Sequence, residues 1–273
     1  SLIQVASVAY DESYKQIFYT TNNNQLYRDV WMYDLNTSKE KLLFHDMRVG
    51  TLTVSQTTHE LLGIQHQSGK AILVKSKYPY SELQSLSVFK VGDEFQDLAI
   101  NSKGNLLAAT MHFSDGKQSI IISDITDLEK GKSFSFKAIT SSGSPENPSW
   151  SCDGNYLYWN AYTNGVSNIY SYDLKSEEII PISNSIIGLF RPVEVSKDSM
   201  VAMKFSLEGF TPVKFGIQRS EKLPAINYFG QKILDKTPEL YNLNLKSADE
   251  VIDKNSFGEE ESYYSLGDLS LRK

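Results

Sequence analysis

Hydrophobic residues in this chain fall in short runs separated by turn-forming residues, rather than at the 3.6-residue spacing of amphipathic helices. The clearest stretch is 147–183, with the sequence NPSWSCDGNYLYWNAYTNGVSNIYSYDLKSEEIIPIS. Its apolar segments predict four short strands, at 148–151, 156–163, 169–174 and 179–182. Asp153-Gly154 and Asn164-Gly165 lie between strands and favour tight hairpin turns, because both dipeptides tolerate a positive φ. The stretch therefore predicts a four-stranded antiparallel sheet.

Similar units recur along the chain at intervals of 45 to 50 residues. The turn after the first strand of each unit is centred on residues 12, 58, 103, 153 and 198. In three units the third strand ends in an aspartate, at Asp34, Asp124 and Asp173. An aspartate there accepts hydrogen bonds from the backbone N–H groups of the next turn, so we interpret these residues as structural rather than catalytic.

The second strand of each unit is apolar at consecutive positions, most clearly at 61–64, 106–109 and 156–162. A sheet with one face in water alternates apolar and polar residues instead, so both faces of these strands are expected to be covered. A repeat of about 45 residues with four strands per unit predicts an all-β fold, namely a β-propeller of four-stranded antiparallel blades.

Five blades are predicted within residues 1–230, approximately at 6–44, 48–90, 94–140, 146–183 and 190–230. Five units either close a small ring or form part of a larger propeller whose other blades lie outside this chain. The repeat pattern stops after residue 230, and 231–273 is interpreted as a C-terminal appendage or linker.

Charge and composition narrow the classes of function. Lys and Arg total 27 against 33 Asp and Glu, which gives a net charge of −6, and the basic residues do not cluster. A surface of that sign repels phosphates, so no nucleic-acid partner is predicted. The single cysteine, Cys152, excludes an internal disulfide and a multi-cysteine metal site. No apolar run approaches the roughly 18 residues that a membrane-spanning helix needs.

Catalytic patterns are also missing from the sequence. It contains no G-x-S-x-G nucleophile elbow, H-E-x-x-H zinc motif, phosphate-binding loop or EF-hand loop. The four histidines show no close metal-ligand spacing, and Cys152 sits in a predicted turn without a cationic neighbour to lower its pKa. We therefore predict no cofactor, no metal site and no catalytic residue.

Binding residues are predicted at one mouth of the central channel, where the chain enters the innermost strand of each blade. Repeat register places Arg48, Gln96, Asn147 and Arg191 at these entries. An arginine there can hold a carboxylate through two parallel hydrogen bonds. The alternative for both arginines is an ion pair with the next blade.

The fourth unit resembles a known repeat. Its P-S-W-S-C-D-G-N at 148–155, followed by I-Y-S-Y-D-L at 169–174, is similar to the WD-like repeat of TolB-type propellers, P-x-W-S-P-D-G-x and then I-Y-x-x-D-L. Cys152 replaces the second proline of that pattern. The first and third units keep parts of it, and the resemblance covers about residues 6–217.

This resemblance implies a non-enzymatic protein-binding or assembly propeller of the bacterial envelope. The expected compartment is the periplasm or another extracytoplasmic one, and the expected partner is a protein or peptide, such as an envelope protein. Similar repeats also form the propeller that gates prolyl-oligopeptidase-like hydrolases, whose catalytic domain would then lie outside this chain. A propeller enzyme acting on glycans is the third alternative, and it needs paired carboxylates, for which Asp115, Glu146 and Glu194 are the candidates.

Overall fold

The structure is a computed structural model that describes residues 4–23, 25, 27–129, 133–217, 236, 237 and 239. Within these residues the chain forms nineteen β-strands and one five-residue helix, α1 (Ile125–Glu129). No helix in this part of the chain has the length and apolar character to cross a membrane. Packing divides the chain into two units, Ser1–Ile226 and Asn227–Lys273, and the strands belong to the first.

The strands form five separate antiparallel sheets, which we call blades 1 to 5 in chain order. Blade 1 contains β1 (Val5–Asp11), β2 (Gln16–Asn22), β3 (Arg28–Asp34) and β4 (Lys39–Phe44). Blade 2 contains β5 (Val49–Val54), β6 (Leu61–Gln67), β7 (Lys70–Ser76) and β8 (Gln84–Val88). Blade 3 contains β9 (Glu94–Ile100), β10 (Leu106–His112), β11 (Gln118–Asp124) and β12 (Lys137–Thr140).

Blade 4 contains β13 (Glu146–Trp150), β14 (Tyr156–Ala161), β15 (Asn168–Asp173) and β16 (Ile179–Pro181). Blade 5 contains β17 (Leu189–Ser196), β18 (Ser199–Ser206) and β19 (Gly209–Gly216). The prediction of an all-β propeller of antiparallel blades, five of them in this chain, is confirmed. Residues 218–230 of the predicted fifth blade lie outside the described residues, as does nearly all of the predicted appendage 231–273.

Local turn chemistry explains why each repeat folds into a meander. In blade 4, Gly154 adopts a φ of +70° in the turn between the first two strands, and its N–H donates to the carbonyl of Ser151 at 2.9 Å. The aspartates that end the third strands accept backbone N–H bonds from the following turn, as predicted. These bonds join Asp34 to Asn36 and Thr37, Asp124 to Thr126, and Asp173 to Lys175 and Ser176.

Adjacent blades pack face to face, and consecutive residues of the second strands enter different cores. Leu61 belongs to the core between blades 1 and 2, whereas its neighbour Leu62 belongs to the core between blades 2 and 3. Leu157 and Tyr158 divide in the same way between the cores on the two sides of blade 4. This arrangement explains the uninterrupted apolar runs, because a strand covered on both faces has no position that faces water.

Four such cores join the five blades, and within the described residues no fifth core joins blade 5 to blade 1. We call the position between blades 5 and 1 the seam. On the seam side of blade 1, Ile17 is partly exposed, although its equivalents Leu61, Leu107, Leu157 and Met200 are 0–2% exposed. On the seam side of blade 5, Val201 is partly exposed, although its equivalents Phe18, Leu62, Ala108 and Tyr158 are 0–4% exposed.

The seam predicts unequal effects for truncating two equivalent side chains. Leu157→Ala removes a fully buried side chain and is expected to lower the free energy of unfolding by about 2–5 kcal/mol. Ile17→Ala should lower the free energy of unfolding by clearly less, because the Ile17 side chain is partly exposed and has no covering sheet among the described residues. Urea unfolding of both variants checks this, and equal losses would contradict an uncovered seam face.

Candidate functional site

The innermost strands of all five blades line one central cavity of about 850 Å³. These strands are β1, β5, β9, β13 and β17, so every blade contributes to the wall. The lining mixes apolar side chains such as Leu98 and Trp150 with polar and charged ones such as Gln56 and Arg191. A cavity of this size and mixed polarity has the properties of a ligand or peptide site, since binding pockets typically measure about 300–1,000 Å³.

Three cavity residues owe their position to a shared irregularity of the backbone. The strand pairs β9–β10, β13–β14 and β17–β18 each contain a β-bulge, a shift in register, and the three bulges lie at equivalent places in their blades. Asp97, Asn147 and Arg191 occupy the first bulged position and have φ values of 52°, 54° and 52°. Bulges re-aim side chains relative to a regular strand, and all three residues line the cavity.

A hydrogen-bonded belt joins these residues across blades 3, 4 and 5. The buried Asn160 on β14 accepts two bonds at its Oδ1, from Asn147 Nδ2 at 3.0 Å and from the Arg191 backbone N–H at 3.1 Å. Asp97 Oδ2 accepts from the Asn147 backbone N–H and from Thr110 Oγ1, both at 3.3 Å. Sequence reasoning missed Asp97 and Asn160. The sequence feature that could have indicated Asn160 is that it is the one polar residue in the apolar run 156–162 of the fourth unit.

The structure brings together two of the four predicted mouth residues. Asn147 and Arg191 line the cavity, whereas Arg48 and Gln96 do not. Gln96 is exposed and lies one residue before the bulge, so the register prediction was off by a single position in that blade. Arg48 places its guanidinium over the ring of Tyr27, 4.4 Å from the centroid. Binding by these residues stays a prediction.

The guanidinium of Arg191 is unpaired among the described residues. Its side chain makes no ion pair and no hydrogen bond to the described residues. Arg48 also makes no ion pair to these residues, although an ion pair with the next blade was the alternative expected for it. An exposed guanidinium in the same cavity wall as Asn147 can donate to a planar anion such as a carboxylate.

The carboxylates considered for glycan chemistry lie apart from one another. Only Glu194 lines the cavity, and its Oε2 accepts a hydrogen bond from Tyr158 Oη at 2.7 Å. Asp115 lies in an exposed turn, where the backbone N–H of Lys117 lowers the pKa of its carboxyl group. Glu146 begins β13 without entering the cavity lining.

Cys152 is exposed and lies in surroundings that disfavour its thiolate form. Partial burial, followed by the charge of Glu194, raises the pKa of its thiol above the ordinary value. The thiol also lies 3.8 Å from the carbonyl oxygen of Glu194, towards which it can donate. A raised pKa leaves little thiolate at neutral pH, and the thiolate is the nucleophilic form.

One group of metal-ligand types forms among the described residues, from Asp29, His45 and Asp46. Asp29 Oδ1 accepts from His45 Nδ1 at 3.0 Å and from the backbone N–H of Asp46 at 2.8 Å, and Asn23 Nδ2 donates to both carboxylates. These hydrogen bonds join the three residues to one another and to Asn23, and none of the four lines the cavity. We therefore interpret the group as a hydrogen-bonded turn. Asp29 lies far from His45 and Asp46 in the sequence, and no spacing motif predicted their meeting.

Comparisons with known proteins establish the fold. No family model matches the chain, and no curated protein matches it. A TolB-type protein of Agrobacterium tumefaciens superposes with a TM-score of 0.62 at 12% identity, over 82% of this chain and 85% of that one. TolB of Acinetobacter baumannii superposes with a TM-score of 0.56 at 14% identity, over 80% of this chain and 56% of that one. A puromycin-hydrolysing peptidase of Mycobacterium tuberculosis superposes with a TM-score of 0.58 at 9% identity, over 82% of this chain and 38% of that one. The chain thus has a β-propeller fold similar to that of TolB.

The belt predicts that Asn160 holds the cavity mouth together. Asn160→Leu removes the acceptor of two hydrogen bonds and leaves their donors unsatisfied, which is expected to cost about 1–3 kcal/mol in the free energy of unfolding. Thr110→Val, at the equivalent position of blade 3, removes one donor and should cost less. Denaturant titration compares the two variants, and a smaller loss for Asn160→Leu would contradict the belt.

Proposed function

We propose that this chain is a non-enzymatic protein-binding and assembly propeller of the bacterial envelope, located in the periplasm or another extracytoplasmic compartment. The observation that carries the proposal is the central cavity of about 850 Å³ lined by all five blades, with the unpaired guanidinium of Arg191 in its wall. Its partner is a protein or peptide that inserts an acidic side chain or a terminal carboxylate beside Arg191 and Asn147. The similarity to TolB propellers supports this placement.

The state of the cavity carboxylates favours binding over catalysis. Three carboxylates line the cavity, and two of them are held in hydrogen bonds, Asp97 by two donors of the belt and Glu194 by the hydroxyl of Tyr158, while the third, Glu12, is exposed on blade 1. A general acid or base needs access to a substrate proton and a pKa matched to that task. Carboxylates held in structural bonds on different blades support a wall that positions a ligand rather than one that transforms it.

The second candidate is the substrate-gating propeller of a prolyl-oligopeptidase-like hydrolase. The observation that favours it is the superposition on the puromycin-hydrolysing peptidase, of which this chain covers only 38%. A prolyl endopeptidase structure is matched in the same way, over 37% of its length. An α/β-hydrolase segment encoded in the same reading frame would decide for this candidate. A glycan-processing propeller ranks last, since only Glu194 of its three candidate carboxylates lines the cavity.

Two arginines of the same predicted class allow a matched test of the cavity. The full chain, Arg191→Ala and Arg48→Ala are immobilised and exposed to envelope extract from the organism that encodes the protein. Arg191→Ala is expected to lose the proteins that the unchanged chain retains. Arg48→Ala should keep them, because Arg48 stacks on Tyr27 outside the cavity. Failure of the unchanged chain to retain any protein above background would contradict the proposed function.

A further inference from the structure

The wall of the central cavity carries more negative than positive groups. Among the described residues it contains one guanidinium, that of Arg191, and three carboxylates, those of Glu12, Asp97 and Glu194, which is a formal net charge of −2. A ligand that brought only a carboxylate would be attracted by Arg191 and repelled by the rest of the wall. Charge complementarity therefore favours a ligand that carries a positive group as well.

Strand register places two opposite charges at one level of this wall. Each blade has one residue that lies three positions before the inner-strand partner of Ile17, or before the partner of the residue equivalent to Ile17. These five cavity-lining residues are Ser7, Thr51, Asp97, Asn147 and Arg191. Only Asp97 and Arg191 among them are charged, so the level has one negative and one positive side.

The two charges are held apart and keep free polar atoms. Asp97 is on blade 3 and Arg191 on blade 5, with Asn147 of blade 4 between them, and no ion pair joins them. Both bonds that Asp97 accepts in the belt end on its Oδ2, so its Oδ1 accepts none from the described residues. The Nδ2 of Asn147 donates to Asn160, which leaves the Oδ1 of Asn147 as an acceptor.

We propose that the cavity binds a dipolar segment of the partner, which carries a carboxylate together with a protonated amine. The carboxylate contacts the guanidinium of Arg191, whose planar fork fits it. The ammonium group has donors and no acceptor, and it donates to Oδ1 of Asp97 and Oδ1 of Asn147. The inference rests on the proposed protein-binding function and specifies the partner's chemistry, an acidic side chain or terminal carboxylate accompanied by a lysine.

Small ω-amino acids test the dipolar site in the full chain before any partner is identified. The probes are γ-aminobutyrate, ε-aminohexanoate and ω-aminooctanoate, and their controls are butyrate, hexanoate and octanoate, which lack the amine. Titrations followed through the backbone amide NMR signals of Asn147 and Arg191 give the dissociation constants. At least one ω-amino acid is expected to bind about tenfold more tightly than its control, because it adds hydrogen bonds from a charged donor.

Asp97→Asn separates the ammonium contact from the carboxylate contact. This variant keeps the shape of the side chain and one oxygen for the belt, and it replaces the second oxygen with an NH2 group. It should bind each ω-amino acid no better than the matching control, whereas Arg191→Ala should weaken the binding of both kinds of probe. Asp93→Asn is the matched control and should keep the preference, because Asp93 accepts from the backbone N–H of Ser114 and does not line the cavity.

Three results would overturn the inference: no binding of any probe, equal affinities for each ω-amino acid and its control, or a preference that survives Asp97→Asn. The proposed function is judged separately, by the proteins that the unchanged chain and Arg191→Ala retain from envelope extract. Retention that depends on Arg191, together with equal affinities for the two kinds of probe, would leave the proposed function standing and remove only the dipolar site.

Discussion

Face-to-face packing of sheets through consecutive side chains of the second strands is the interaction on which the structure depends. In blades 2 to 4 each of these strands sends one residue into the core behind it and the next residue into the core ahead, as Leu157 and Tyr158 do in blade 4. Because burial of apolar area is the dominant stabilising term, no blade is stable alone, and within the described residues blades 2 to 4 are covered on both sides whereas blades 1 and 5 are covered on one. The cavity and the seam both follow from this requirement.

The cavity forms because the blades converge at their innermost strands. Inner strands of small or bulged residues leave a shared space, and the bulges at Asp97, Asn147 and Arg191 turn polar side chains towards it. The buried amide of Asn160 fixes two of these residues by hydrogen bonds. Polar groups at the mouth are thus positioned by the backbone and by one buried side chain, which preorganises them for a ligand.

The fold was predictable from sequence because turn chemistry and strand periodicity are local and repeat five times. The asparagine belt was not, since Asn147, Asn160 and Arg191 lie in three segments whose contacts depend on tertiary packing. A one-residue bulge was enough to move the cavity position from Gln96 to Asp97. The seam was equally hidden, because Ile17 and Val201 belong to the same apolar pattern as their covered equivalents and only the missing neighbour distinguishes them.

Thiol accessibility at two equivalent positions tests the central claim most directly. In a Cys152→Ser background, Ala108→Cys places a thiol in the sealed core between blades 3 and 4, and Val201→Cys places one at the seam. We expect the thiol at position 201 to react with a soluble maleimide in the native protein, and the thiol at position 108 to react only on unfolding. Equally slow reaction at both positions would mean that blades 1 and 5 close against each other, and it would contradict the open seam.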